Sequence, residues 1–128
     1  MKIKVYKPNQ TSYRRLNWSK GMKNSNFNLI IKLYNKGVLL GSLCIKENWI
    51  YNLVVNPKFR FNGYGKKLIK KAEKIISRKY KTINLTPQDN DESLRLFYSK
   101  LGYSGYDETS PGYEEEDKSW WVMSKCLK

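Results

Sequence analysis

A chain of 128 residues with no histidine and two cysteines, Cys44 and Cys126, is expected to form one domain, residues 1–128, without a metal or disulfide framework. The missing histidine excludes His-based triads, His general bases and most zinc sites. Its 25 Lys and Arg against 11 Asp and Glu give a net charge of +14, and its apolar runs are too short for a membrane span or a secretory leader.

In chain order, Lys2–Tyr6 alternates polar and apolar residues and predicts a first strand. Residues 8–27, with Pro8, Gly21 and several Asn, predict one or two short helices and loops. Leu29, Ile31 and Leu33 alternate against Ile30, Lys32 and Tyr34, a strand closed by the turn Asn35-Lys36-Gly37. Val38–Lys46 pairs back as a hairpin, and Trp49–Val55 follows as a mostly apolar central strand. Leu68, Ile69, Ala72, Ile75 and Ile76 then form a helical stripe opposite Lys67, Lys70, Lys71, Lys74 and Arg78. Residues 81–86 read as a strand parallel to the previous one, which makes a β-α-β unit. Asn90 caps a second helix with Asp91 and Glu92 in its first turn, Leu94, Phe97 and Leu101 inward, and Gly102 as its stop. Residues 103–106 and 119–127 close the sheet as two strands. The fold class is α/β (α+β), a mixed sheet with helices on both faces.

Charge is unevenly distributed along these elements. Asp107, Glu108, Glu114, Glu115, Glu116 and Asp117 lie within 11 residues that hold no Lys or Arg, which leaves 25 positive against 5 negative charges elsewhere. A basic body with one acidic loop suits a polyanion on one side and a cation on the other; solvated charge without a specific role is the competing explanation. Cys44 and Cys126 both fall in apolar strand-like runs and read as buried free thiols in a reducing, cytoplasmic setting.

Between Val55 and Gly65 a strand ends in the basic, glycine-punctuated loop Asn-Pro-Lys-Phe-Arg-Phe-Asn-Gly-Tyr and runs directly into the first helix. A helix N-terminus offers unpaired N–H groups and the positive end of its dipole to an anion. Gly63 and Gly65 allow close approach, and Arg60, Lys66 and Lys67 add positive charge. The loop is not a P-loop, because Arg60 and Lys67 stand where Gly and Ser or Thr belong. Nor is it a dinucleotide fingerprint, because Leu68 replaces the third small residue.

Val55-x-Pro57-x-x-Arg60-x-x-Gly63-x-Gly65 resembles the acetyl-coenzyme A signature of the GNAT superfamily of N-acetyltransferases. Downstream, Asn90-x-x-Ser93-Leu94-x-Leu96-Phe97-Tyr98-x-Lys100-Leu101-Gly102-Tyr103 is similar to that family's Asn, Ala, Tyr-x-Lys-x-Gly-Phe stretch. The resemblance covers residues 28–126 and implies a mostly antiparallel sheet with a central parallel strand pair. It also implies acetyl transfer from acetyl-coenzyme A to a primary amine of a cationic small molecule or peptide, by a monomer or homodimer.

The resemblance implies a role for each matching residue. Leu53, Val54 and Val55 would present backbone groups to the pantetheine arm from a splayed strand edge. Backbone N–H groups of Arg60, Phe61, Asn62, Gly63, Tyr64, Gly65 and Lys66 would hold the pyrophosphate. Phe61 stands where the family often has Gly, and Asn62 is a residue that tolerates left-handed backbone. Asn90 would bond the cofactor arm, or serve as a plain helix cap. Tyr98 would protonate the departing thiolate, or pack at its helical spacing from Leu94. Trp49–Val55 lacks the central-strand Glu that many relatives use as a base, which leaves Glu47, residues 114–117 or a water chain. A coenzyme A-binding domain without chemistry is a second reading. A basic nucleic-acid-binding module is a third, and no recognisable motif supports it.

Overall fold

The computed structural model describes residues 1–7, 28–87, 92–109 and 119–127. Its elements run β1 (Lys2–Tyr6), β2 (Leu29–Asn35), β3 (Val38–Lys46), β4 (Trp49–Val55), α1 (Tyr64–Ile76), β5 (Thr82–Leu85), α2 (Glu92–Lys100), β6 (Ser104–Thr109) and β7 (Ser119–Cys126). The strands form one seven-stranded sheet in the order β1-β2-β3-β4-β5-β7-β6. All neighbours are antiparallel except β4 and β5. A mixed, mostly antiparallel sheet with a central parallel pair is therefore the architecture of the chain. The short helices expected within residues 8–27, and Asn90 and Asp91, lie outside the described residues.

Pleating divides each strand between two faces. Ile31 and Leu33 of β2, Leu43 and Ile45 of β3, Ile50 of β4, Ile83 and Leu85 of β5 and Met123 of β7 belong to the main core. The apolar stripe of α1 closes it with Leu68, Ile69, Ala72 and Ile76, all buried, while Ile75 is half-buried. Each fully buried Leu or Ile contributes on the order of 2 kcal/mol, so this stripe decides where α1 docks. Gly41 lets it dock closely: a Cβ there would stand 2.8 Å from the Val54 carbonyl oxygen and 3.0 Å from Leu68 Cδ1. The other face holds a smaller cluster of Ile30 and Cys44 with Tyr51 against it.

Two expectations are corrected, and one buried residue was not anticipated. Cys126 is exposed, because it lies at the end of β7 beyond the last β6 pair, Ser104 with Ser124. Asp107 and Glu108 belong to β6, paired with Trp121 and Trp120, rather than to a loop; residues 110–118 lie outside the described residues. Glu73, a carboxylate on the apolar side of α1, is buried with the stripe. No helix of the described residues is long and apolar enough to cross a membrane.

Candidate functional site

The geometry that matters begins with an irregularity in β4. Ser42 pairs Val54 and Cys44 pairs Tyr51, so Asn52 and Leu53 together face the single residue Leu43. This is a β-bulge, and Asn52 takes φ +53 to make it. On the other side of β4, pairing with β5 covers only Trp49 with Asn84 and Ile50 with Leu85. Residues 52–55 therefore continue with no paired strand on the β5 side among the described residues. Leu53 turns to the core, Val54 to the opposite face, and Val55 again toward α1; all three are half-buried.

The chain leaves β4 through Asn56, whose N–H donates to the Leu40 carbonyl at 2.7 Å and whose amide donates to the Leu39 carbonyl at 3.3 Å. A short 3-10 turn, Pro57–Phe59, follows, with Asn56 Oδ1 accepting from the Lys58 N–H at 3.1 Å. Phe59 anchors this loop in the core, while Arg60, Phe61, Asn62 and Gly63 are exposed. The left-handed residues are Phe61 (φ +68) and Gly63 (φ +79), not Asn62. Asn62 instead braces the turn, its amide donating to the carbonyls of Phe59 at 3.0 Å and Arg60 at 3.3 Å.

Gly63 is the N-cap of α1 and brings no side-chain acceptor; the first turn contains no acid. Lys67 is the first residue whose N–H closes a helical bond, to Gly63 at 3.1 Å. The N–H groups of Tyr64, Gly65 and Lys66 thus precede the helical ladder with no side-chain cap, the arrangement that receives an anion. A Cβ on Gly63 would meet nothing within 4 Å, so the surface is open there. Gly65 is different: its missing Cβ faces Phe97 Cζ at 3.4 Å and Val55 Cγ2 at 3.5 Å. These are ordinary contact distances, so the ring of Phe97 lies against the first turn of α1, a neighbour that the sequence, which marks Phe97 only as core, does not reveal.

That contact brings α2 beside the end of β4. Phe97 meets Tyr98 edge-to-face at 5.1 Å between ring centres, and Tyr98 meets Tyr103 at 6.0 Å. Tyr98 is 5% exposed, and burial pushes its phenol well above the ordinary range. Behind it, the Tyr103 hydroxyl donates to Glu73 Oε2 at 2.9 Å, and Lys125 Nζ reaches the same oxygen at 3.1 Å. The structure therefore gathers Leu53, Val54, Val55, Arg60, Phe61, Asn62, Gly63, Tyr64, Gly65 and Lys66 along one strand end and loop. Tyr98 stands one side chain behind, through Phe97, and Asn90 lies outside the described residues. A cavity of about 770 Å³ at the far end of α1, floored by Leu29, Ile45, Ile75 and Ile76, shares no residue with this site.

Comparison with known proteins bears on this arrangement. The model of the acetyltransferase (GNAT) family matches residues 4–103. No curated protein matches the chain. Among solved structures, the chain is similar to an acetyltransferase of the GNAT family from Staphylococcus aureus Mu50, at TM-score 0.63 and 18% identity over 78% of this chain and 68% of that one. An aminoglycoside 6'-N-acetyltransferase complexed with coenzyme A is similar at TM-score 0.65 and 22% identity over 78% and 73%. Naa50 of Arabidopsis thaliana, in complex with the bisubstrate analogue CoA-Ac-MVNAL, is similar at TM-score 0.62 and 24% identity over 75% and 71%.

Proposed function

The chain belongs to the GNAT acetyltransferase family, and we propose that it transfers the acetyl group of acetyl-coenzyme A to a primary amine. One observation carries the reading: among the described residues, 52–55 of β4 have no strand partner toward β5, and one short loop leads from them to uncapped N–H groups at α1. The residues present fit a phosphate-bearing cofactor. Gly63 faces open space, no acid stands in the first turn of α1, and Lys58, Arg60 and Lys66 are exposed around it.

Acetyl-coenzyme A supplies an activated thioester when bound. The chain's own residues then bind, orient and exchange protons. Backbone groups of Leu53, Val54 and Val55 would take the pantetheine amides as a missing strand would. N–H groups of residues 60–66, with Arg60 and Lys66, would hold the pyrophosphate. Asn90 remains the candidate for a further amide contact to the arm. Tyr98 is the residue that would give its phenol proton to a departing thiolate, although burial raises its pKa and makes it a weaker acid. Glu47 lines the cavity at the far end of α1, at the opposite end of β4 from this site, and with no carboxylate on β4 itself water would take the proton of the amine.

The acceptor we favour is a cationic small molecule or a peptide amine, and the acidic run 114–117 is the sequence feature that supports it. A second reading rests on the burial of Tyr98: a domain that binds coenzyme A without turning over. Thiol release from acetyl-coenzyme A across a panel of polyamines, aminoglycosides and peptides, paired with thermal shift, tests both. Release with an amine supports transfer. Stabilisation by cofactor without release from any amine favours the binding domain, and no stabilisation at millimolar cofactor overturns both.

A further inference from the structure

Phe61 is 104% exposed, the most exposed large apolar side chain of the described residues. It also adopts φ +68, a left-handed conformation that bulky residues rarely accept. Glycine at this position would relieve the backbone and remove an apolar ring from water. Folding of the loop does not need the ring, because Phe59 already anchors it in the core and the Asn62 amide braces the turn from within. A residue disfavoured on two counts, at the rim of a ligand loop, is where strain marks a contact made to the ligand.

Charge says which kind of ligand. Arg60 beside it and Lys66 five residues on are exposed, and residues 57–72 contain no Asp or Glu. The surroundings suit a molecule that is polyanionic and carries a planar aromatic group. We infer that Phe61 is a stacking platform for the adenine of coenzyme A, an inference that rests on the cofactor site proposed above. The N–H groups of residues 64–66 and the cations take the phosphates, and the exposed face of the ring takes the base. Base-on-ring stacking is tolerant of exact geometry, which suits a side chain on a loop.

Calorimetric titration of the full chain with adenosine 3',5'-bisphosphate, coenzyme A and 4'-phosphopantetheine separates the outcomes. Phe61→Gly is expected to bind the two adenine-bearing ligands about tenfold more weakly and phosphopantetheine unchanged. Phe61→Trp is expected to keep parental affinity and to show fluorescence quenching with adenosine 3',5'-bisphosphate but not with phosphopantetheine. Thermal unfolding of the ligand-free Phe61→Gly protein, at or above the parental midpoint, excludes misfolding as the cause. Equal affinity of parent and Phe61→Gly for all three ligands overturns the inference while leaving the cofactor site in place. So does an equal loss for all three, which would assign Phe61 to loop shape. A parent that binds none of them overturns the cofactor reading itself, and the inference with it.

Discussion

Arg60 Nε donates to the carbonyl oxygen of Val55 across 3.4 Å. Two residues that the sequence assigns to one ligand thus hold each other at the end of β4. Five donors on a planar fork allow Arg60 to keep that carbonyl and still reach a phosphate. Arg60→Ala is expected to raise the KM for acetyl-coenzyme A by about five- to tenfold, the loss of one exposed charge-assisted bond, with kcat nearly unchanged. Salt should weaken cofactor binding less in the variant than in the parent. Steady-state kinetics at two ionic strengths check both, and an unchanged KM would leave Arg60 with its bond to Val55 only.

Gly63 and Gly41 answer to different physics. Gly63→Ala forces a Cβ into φ +79 with open space around it, so the expected loss is roughly 1 kcal/mol of backbone strain. Gly41→Ala drives a Cβ to 2.8 Å from the Val54 carbonyl oxygen and 3.0 Å from Leu68, so α1 or β4 must shift at a cost of about 2 kcal/mol or more. Urea unfolding ranks the two. Gly63→Ala should also weaken coenzyme A binding, because its backbone lies where the phosphates are expected.

Tyr98→Phe keeps the ring contacts with Phe97 and Tyr103 and removes only the hydroxyl. Loss of kcat on the order of 10²-fold with little change in cofactor KM is expected if the phenol protonates the leaving thiolate. Parental turnover would return Tyr98 to the packing role that its 5% exposure also fits.

Much of this was legible because the signals were local. Alternation and the Asn35-Lys36-Gly37 turn marked β1 to β4 to the residue at Lys2–Tyr6, Val38–Lys46 and Trp49–Val55, and the apolar stripe placed α1. Glu73 was missed although it lies four residues from Ile69 and three before Ile76, on the stripe itself; a carboxylate there needed partners, and these come from β7 and the segment after α2. The Asn52 bulge is set by pairing with β3, which no short window contains. The loop put its left-handed turn on Phe61 because Asn62 was engaged with the carbonyls of Phe59 and Arg60. Asn90 and residues 114–117 of the acidic run lie outside the described residues.

The Glu73 cluster explains the end of the second motif as structure. Gly102, at φ +99, stops α2 and leaves room for Lys125, whose Cε lies 3.3 Å from the position of its missing Cβ. Lys125 can then pass over the Tyr103 ring, 5.7 Å from its centre, to Glu73. Glu73→Leu should cost about 2 kcal/mol or more, since it strands a hydroxyl and a half-covered ammonium. Tyr103→Phe removes one bond and should cost about 1 kcal/mol. Denaturant unfolding of the singles and the double variant gives their coupling; simple additivity would show that the two side chains do not act together.

Alkaline pH gives the last test. Burial pushes the Cys44 thiol from 9.0 up to about 12, the Asn52 amide and Lys32 offsetting only part of it. Burial likewise raises Tyr98, and it raises Tyr103, to which the charge of Glu73 and the bond to it add. In the unfolded chain the thiol ionises near 9.0 and the phenols near 10.0, while the folded chain keeps them protonated. Over that interval the native state binds more protons than the unfolded one, so stability falls as pH rises. Full stability is expected below pH 9, with a decline of up to about 1.4 kcal/mol per pH unit for each such group that has begun to ionise when unfolded. Cys44→Ala should move the onset from near 9 toward 10. Native-state labelling at pH 8 should modify the exposed Cys126 and spare Cys44 until the chain unfolds. Equal reactivity of the two thiols, or a stability curve flat to pH 10.5, would mean that Cys44 is not sealed under the second face of the sheet.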